Sequence, residues 1–381
     1  MKINKQIALG LAVFIYTRMV LFMALPLEGL KGYSDITHFY SLASIPGLPY
    51  IHYWVEYPPA FPFLSELVFW LAGGQQHVYG YLLLFLFTLA DCGNLLVFYW
   101  LAVQIHPIQE ARIRTCAYLL ILVPLSYSWG YFDSLAVLAL LLGLMFLLRG
   151  KPLMAGFAFG AGALIKVFPL LGMIAAWRAV RWKRAAAMAG VAIGLSLGLM
   201  GLLWGVSPEF TQASLGSQPG KGSWQTVWAL LDENYQTGLI SLLGNRTEPE
   251  VTFPLRGNPP LISPWLTLLI FTGLGLISLY KIKSVTPVKT LSVVGFAFCM
   301  FFLWLPGWIP QWVLFLLPLI LISLPMQVSV LMASVMVLIN LLEWPVLLSR
   351  GYFWSLVYSV PVRAFLLVLL AGLFFQNARR D

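Results

Sequence analysis

Apolar residues in this chain gather into long solid runs, and basic residues cluster in the gaps between them. Solid runs predict helices that are hydrophobic on all sides, as lipid-embedded helices are. A membrane β-barrel would instead show alternating segments of about ten residues. The first run, from Ile7 to Pro26, has no small-residue cleavage site after it and reads as a retained span rather than a leader. The basic clusters are Lys2 and Lys5; Arg112 and Arg114; Arg149 and Lys151; Arg178, Arg181, Lys183 and Arg184; Lys281, Lys283 and Lys289; and Arg379 and Arg380. The positive-inside rule puts all six on the cytoplasmic side, so each neighbouring pair is separated by an even number of crossings. Between Arg114 and Arg149 the apolar residues split from Tyr127 to Asp133; between Lys151 and Arg178 they split from Lys166 to Pro169. The four resulting segments hold about 14 to 18 residues each, where a plain span needs about 20. They read as two shallow hairpins whose tips, near Asp133 and Lys166, dip into the outer leaflet. The pattern predicts an all-α polytopic transmembrane helical bundle of about 12 spans, some short or broken, with both termini cytoplasmic.

Composition supports this class. Hydrophobic residues make up 60% of the 381 and charged residues 10%, and the mean hydropathy is +0.86. A soluble domain carries about 25% charged residues. The net charge of +9 is explained by the cytoplasmic clusters and does not call for nucleic acid. Cys92, Cys116 and Cys299 all lie in apolar runs, which argues against a disulfide framework or a zinc site. No internal repeat supports two similar halves, and no Walker motif or dinucleotide fingerprint is present. Residues 1–381 read as one membrane-embedded domain with two long outer segments, 27–80 and 207–263, the first carrying a moderately apolar piece, Phe61 to Leu71, suited to the interface.

Ionisable residues in such a chain stand out, because burying a charge without a partner is costly. Asp35, in the stretch from Gly32 to Tyr40, is open to two readings: a general base near the bilayer surface or a helix N-cap. Lys166 reads as a cation for a lipid-linked phosphate or as a snorkelling lysine. For Arg18, in the first span, an ion pair with Asp91 or Asp133 is a third option. Asp133 suits an acceptor hydroxyl or a structural pair with Lys166. Asp91 and Asn94, one turn apart, suit hydrogen bonding between helices. Glu343 and Arg350 flank a late outer turn. His38 and His52 with Asp35 and Glu56 lack tight metal-ligand spacing, so no metal is assigned and a divalent ion stays doubtful. Trp54 with Tyr57, and Trp304 with Trp308 and Trp312, fit interfacial belts or sugar-stacking platforms. Asn245-Arg246-Thr247 forms a glycosylation sequon. The glycines from Gly160 to Gly162 suit close helix packing.

The order of these residues resembles a family. Arg18 in span one is followed by Tyr33-Ser34-Asp35-Ile36, Phe39-Tyr40, Pro46-Gly47-Leu48-Pro49-Tyr50 and Glu56-Tyr57-Pro58-Pro59. Leu86 to Asp91, Pro124 to Ser126, Lys166 to Pro169 and Trp308 to Trp312 then follow in order. This set resembles the C-type (GT-C) glycosyltransferases that use polyprenyl-phosphate sugars. The likeness is nearest to the catalytic subunit of the first GPI mannosyltransferase and to bacterial multispanning mannosyltransferases. The resemblance implies sugar transfer from a polyprenyl-phosphate donor to an acceptor on the outer face. The sugar is read as a hexose, mannose foremost, moved to a lipid or glycan acceptor, and a base placed opposite the phosphate would invert the configuration. The resemblance implies Asp35 as catalytic base. The residues themselves suggest Lys166 and Arg18 as donor-phosphate ligands, and His38, Tyr40, Glu56, Tyr57, Asp133 and Gln311 are the substrate-binding candidates. Where the GPI enzyme has a second acid two residues after the first, this chain has Thr37, which weakens a metal bridged by an acid pair. A small membrane partner subunit is compatible with this reading. The expected location is a plasma membrane, with the endoplasmic reticulum as alternative. Two other classes compete: a transporter or flippase of lipid-linked sugars, and a non-catalytic subunit of a glycosylation complex.

Overall fold

A computed structural model of the chain describes residues 5–30, 33–177, 179–238, 245–282 and 286–379. Gly32 and the basic residues Lys2, Arg178, Lys283 and Arg380 lie outside the described residues. Among those described there is no β-strand, and 76% of the chain is helical. Among the described residues six helices are long and apolar enough to cross a membrane: Lys5–Ala24, Gln76–Ile105, Trp182–Val206, Pro287–Trp304, Met326–Arg350 and Phe353–Arg379. Five more apolar helices are shorter, including Asp133–Leu148 and Pro152–Ala163. The expected number of about 12 spans, some short or broken, is not confirmed by these helices. The polar breaks in the pattern shorten the helices between them.

The chain divides into two compact units. The first comprises Met1–Leu170, Ala186–Ser217 and Ser241–Thr252. Its helices are α1 (Lys5–Ala24), α2 (Ile36–Ala43), α3 (Ala60–Leu71), α4 (Gln76–Ile105), α5 (Ile108–Leu122), α6 (Ser126–Gly130), α7 (Asp133–Leu148), α8 (Pro152–Ala163), most of α9 (Trp182–Val206) and α10 (Pro208–Gly216). The expected break from Tyr127 to Asp133 appears as short α6 and the turn before α7, and the break at Lys166 ends the helix that starts at Pro152. Close packing joins α8 to α9. A Cβ on Gly156 would lie 2.4 Å from the Met188 carbonyl oxygen, and one on Gly160 would lie 2.7 Å from that of Ala192. Backbones that approach so closely without a hydrophobic drive between them need small residues at the contact. Elsewhere α9 leaves Leu197 and Leu202 exposed, an apolar face suited to lipid.

A buried polar network fixes α1, α4, α6 and α7. Arg18 is fully buried; it lies 3.6 Å from Asp91, donates to the Leu122 carbonyl at 2.6 Å and to the Ser128 hydroxyl. The Ser134 hydroxyl donates to Asp91 at 2.8 Å, and Asn94 donates to the Ser134 carbonyl at 3.0 Å. The Arg18–Asp91 pair is the one weighed from the sequence, and the Asn94 bond is the expected link between helices. In hydrocarbon such groups hold helices together because separating them would strand a charge.

The second unit comprises Leu171–Ala185, Gln218–Ile240 and Phe253–Asp381. It contains α11 (Val227–Leu231), α12 (Pro264–Tyr280), α13 (Pro287–Trp304), α14 (Val313–Ser323), α15 (Met326–Leu341) and α16 (Leu356–Arg379). Every residue of α14 is buried. Helices α13 and α16 meet where Gly295 leaves room for the Phe374 ring, which a Cβ would approach to 2.5 Å. Glu343 pairs with Arg363 rather than with Arg350, whose guanidinium caps the Val346 carbonyl. Glu343 also accepts from Gln225 at 2.8 Å and from Ser359 at 2.6 Å, and Arg363 donates to the Gln225 carbonyl. The loop around Gln225 is thereby tied to α16.

Candidate active site

The start of α2 carries the site. Asp35 occupies the N-cap position of this helix, but its side chain makes no capping hydrogen bond. Among the described residues nothing hydrogen-bonds to or pairs with its carboxylate. The position is set by the backbone instead: the Asp35 amide donates to the Gly130 carbonyl at 3.2 Å. Gly130 is required for this approach, since a Cβ there would lie 2.7 Å from the Ser34 Cβ and 2.9 Å from the Tyr33 carbonyl oxygen. The Asp35 side chain is half-buried, so it is reachable and still poorly hydrated. Burial raises its pKa from 3.8 to about 6. The charges of His38 and Lys166 pull it down, and those of Asp133 and Glu56 push it up. A carboxylate with this value takes a proton readily near neutral pH.

Two ion pairs flank it. Lys166 and Asp133 lie 2.5 Å apart, the lysine 13% and the aspartate 1% exposed. The ammonium also stands 5.3 Å from the Phe132 ring centre and 5.6 Å from that of Phe168. Asp133 opens α7, where the helix N-terminus favours an acid. On the other flank, His38 Nε2 lies 3.1 Å from Glu56 Oε1. Arg246 grips both Glu56 oxygens, with its second nitrogen 3.3 Å from Oε1. Burial alone would raise the Glu56 carboxyl. The Arg246 guanidinium and the His38 ring override that and hold it far below the usual carboxylate range.

Arg246 is the residue that sequence reasoning passed over. It was counted only as the middle of a sequon, yet it is 4% exposed and stacks 4.2 Å from the centre of the Trp54 ring. Its backbone is pinned as well, since the Trp54 amide donates to the Arg246 carbonyl at 3.0 Å and the Trp54 indole donates to the Asn245 carbonyl at 3.1 Å. An arginine in an outer segment, against the positive-inside bias, was the available signal. Trp54 and Trp308 both differ from the belt expectation. Each is buried beneath a guanidinium, Trp308 under Arg363 at 5.0 Å. An arginine stacked on tryptophan and paired with a buried glutamate thus occurs once in each unit.

The other candidates are distributed as follows. Tyr57 sits among Phe39, Phe61, Phe132 and His38, with the His38 ring centre 6.2 Å away. The Tyr40 hydroxyl donates to the Gly74 carbonyl at 2.8 Å and so anchors the turn between α3 and α4. His52 is exposed, and its Nδ1 accepts from the Leu48 amide at 2.9 Å. Arg18 is engaged in the buried network. Gln311 belongs to the second unit, where it is 5% exposed. Asp35, His38, Glu56, Tyr57, Asp133 and Lys166 are therefore gathered in the first unit, joined by Arg246.

The profile of glycosyltransferase family 87 matches residues 54–306. The chain belongs to glycosyltransferase family 87. It is thereby a membrane glycosyltransferase of the C-type, multispanning class, and the family match covers Glu56, Tyr57, Asp133, Lys166 and Arg246. Arg18, Asp35, His38, Tyr40 and Gln311 fall outside the matched stretch. No curated protein and no solved structure matches the chain. A glycosyltransferase of this family needs a sugar donor and an acceptor, and the specific likeness to the GPI enzyme is not part of the match.

Proposed function

We propose that this family 87 member moves a hexose, mannose foremost, from a polyprenyl-phosphate donor to a lipid or glycan acceptor at the outer face of a plasma membrane, with both termini cytoplasmic. Asp35 takes the proton of the acceptor hydroxyl. The hydroxyl oxygen attacks the anomeric carbon while the bond to the donor phosphate breaks, its electron pair leaving with the phosphate. Lys166, freed in part from Asp133, meets the charge that develops on that phosphate. The base and the phosphate lie on opposite sides of the sugar ring, so the product has inverted configuration. Glu56, gripped by Arg246, holds the His38 ring, and Tyr57 offers a ring face to the sugar.

The observation that carries this reading is the Asp35 carboxylate: half-open, without a hydrogen-bond partner among the described residues, raised to about 6 and flanked by a lysine. Purified protein in nanodiscs, given polyprenyl-phosphate mannose, polyprenyl-phosphate glucose or nucleotide sugars with a lipid-extract acceptor, tests it. A lipid-phosphate donor is expected to yield product of inverted anomeric configuration. Transfer from a nucleotide sugar alone, or retained configuration, rejects the mechanism.

A further inference from the structure

The groups behind Asp35 end in an atom that the transfer step does not use. Ionised Glu56 has only acceptor oxygens, so His38 Nε2 must carry the hydrogen that lies between them. In its neutral form the ring is then fixed in one tautomer, with a lone pair at Nδ1. That nitrogen is buried and has no hydrogen-bond partner among the described residues, on a side chain 6% exposed. A buried acceptor left unpaired is costly. A ring retained only to pack against Tyr57 and Phe39 would not require it. Asp35 at the N-cap and His38 in the first turn of α2 stand three residues apart, the spacing at which a cap side chain and a first-turn side chain reach toward each other. Charged and titratable groups face this pair from every side: Glu56 and Tyr57 from the loop before α3, Arg246 from the outer segment, Asp133 from α7, and Lys166 from the break after α8.

We propose that His38 relays the proton of each turnover, taking it from Asp35 onto Nδ1 while Glu56, gripped by Arg246, holds the ring through its Nε2–H. The inference rests on the transferase reading above. The acceptor O–H breaks and its proton goes to Asp35. The new bond to the anomeric carbon forms as the bond to phosphate breaks. Asp35 then passes the proton to His38 Nδ1 and returns to a carboxylate. The imidazolium, stabilised by Glu56, holds the proton until product leaves and then returns it through half-open Asp35 to water. No electron is gained or lost. His38 acts through Asp35 and Glu56 acts through His38, so both are positioning and relay groups, and of these three Asp35 alone meets the substrate.

His38→Gln tests this directly. The glutamine amide reaches the Nε2 position and keeps the hydrogen bond to Glu56, but it has no nitrogen that accepts a proton. With polyprenyl-phosphate mannose as donor, kcat is expected to fall about 10²-fold, the scale of a proton-transfer contribution, with KM and Tm close to wild type. Added imidazole should restore the rate in proportion to its concentration. A His38→Gln protein with the wild-type kcat and pH profile overturns the relay, as does a loss that imidazole does not repair. If that variant fails to fold, nitrogen NMR of histidine-labelled wild type decides the point. The relay requires His38 protonated at Nε2 in the neutral form, and protonation at Nδ1 instead overturns it. Absence of any product from wild type with both lipid donors overturns the transferase reading together with the relay. Product from wild type alongside an unimpaired His38→Gln overturns the relay alone.

Discussion

The Asp35 amide donates to the carbonyl of Gly130 at 3.2 Å, across a contact that has no room for a methyl group at Gly130. One hydrogen bond thus fixes the proposed base against α6. That helix is itself held by Ser128, which accepts from Arg18 and whose carbonyl accepts from Ser134 at 2.7 Å. Gly130→Ala is expected to push Ser34 and Asp35 outward. A misplacement of about 1 Å at a reacting group costs on the order of 10²-fold in rate. Steady-state transfer should show that loss in kcat, while circular dichroism of the variant remains helical.

Asp35 carries a pH signature. Its folded-state pKa is about 6 against an ordinary 3.8, with burial the largest cause. Transfer therefore requires its ionised form, and kcat/KM should rise with pH and level off above about 6. The linkage sign runs the other way for stability. Between those two values the folded state holds a proton that the unfolded state has lost, so stability falls as pH rises through that window. At pH 7.5 the ionised group costs stability, and Asp35→Asn removes the cost. The variant should melt at or above the wild-type temperature while transferring no sugar. A lower melting temperature across the neutral range would contradict the environment described for Asp35.

In the second unit, Arg363 and Glu343 form a buried pair whose remaining hydrogen bonds go to Gln225 and Ser359. Removing one partner of such a pair strands the other charge and costs about 3–5 kcal/mol. Arg363→Met should lower the thermal midpoint sharply, and the Arg363→Met, Glu343→Gln double variant should recover much of it. A double-mutant cycle in detergent measures the coupling.

Close backbone contact between α8 and α9 gives a purely steric prediction. Gly156→Leu must displace the Met188 carbonyl, which a Cβ alone would approach to 2.4 Å. Overpacking of this kind costs about 1–3 kcal/mol. On α9 itself, Gly198 has no atom within 4 Å of its would-be Cβ, so Gly198→Ala should leave the midpoint unchanged.

Much of this arrangement is legible in the sequence, and the reason differs from part to part. Solid apolar runs and scarce charges specify lipid-embedded helices, and the breaks near Asp133 and Lys166 are visible because polar residues interrupt otherwise apolar stretches. Asp35 stands out for the same reason. Arg246 does not. Its meeting with Glu56 spans 190 positions along the chain, and no local pattern encodes a partner at that separation. Gly130 is hidden differently: a glycine among aromatics carries no chemistry until the chain it must admit is known. The tryptophans mislead because a ring suited to the membrane interface is equally suited to a guanidinium stacked on its face. The span count is less legible, since a run of apolar residues shows where lipid or protein surrounds the chain but not whether the helix is long enough to cross.

The central claim is that Asp35 activates an acceptor hydroxyl. Wild type and Asp35→Asn, purified side by side in nanodiscs and matched for folding, should be given polyprenyl-phosphate mannose or glucose with a lipid-extract acceptor, and the products weighed by mass spectrometry. The account predicts a hexose added by wild type and none by Asp35→Asn. Equal product from both would contradict it, leaving Asp35 as a helix-end residue and moving the search for the base to Asp133 or Glu56.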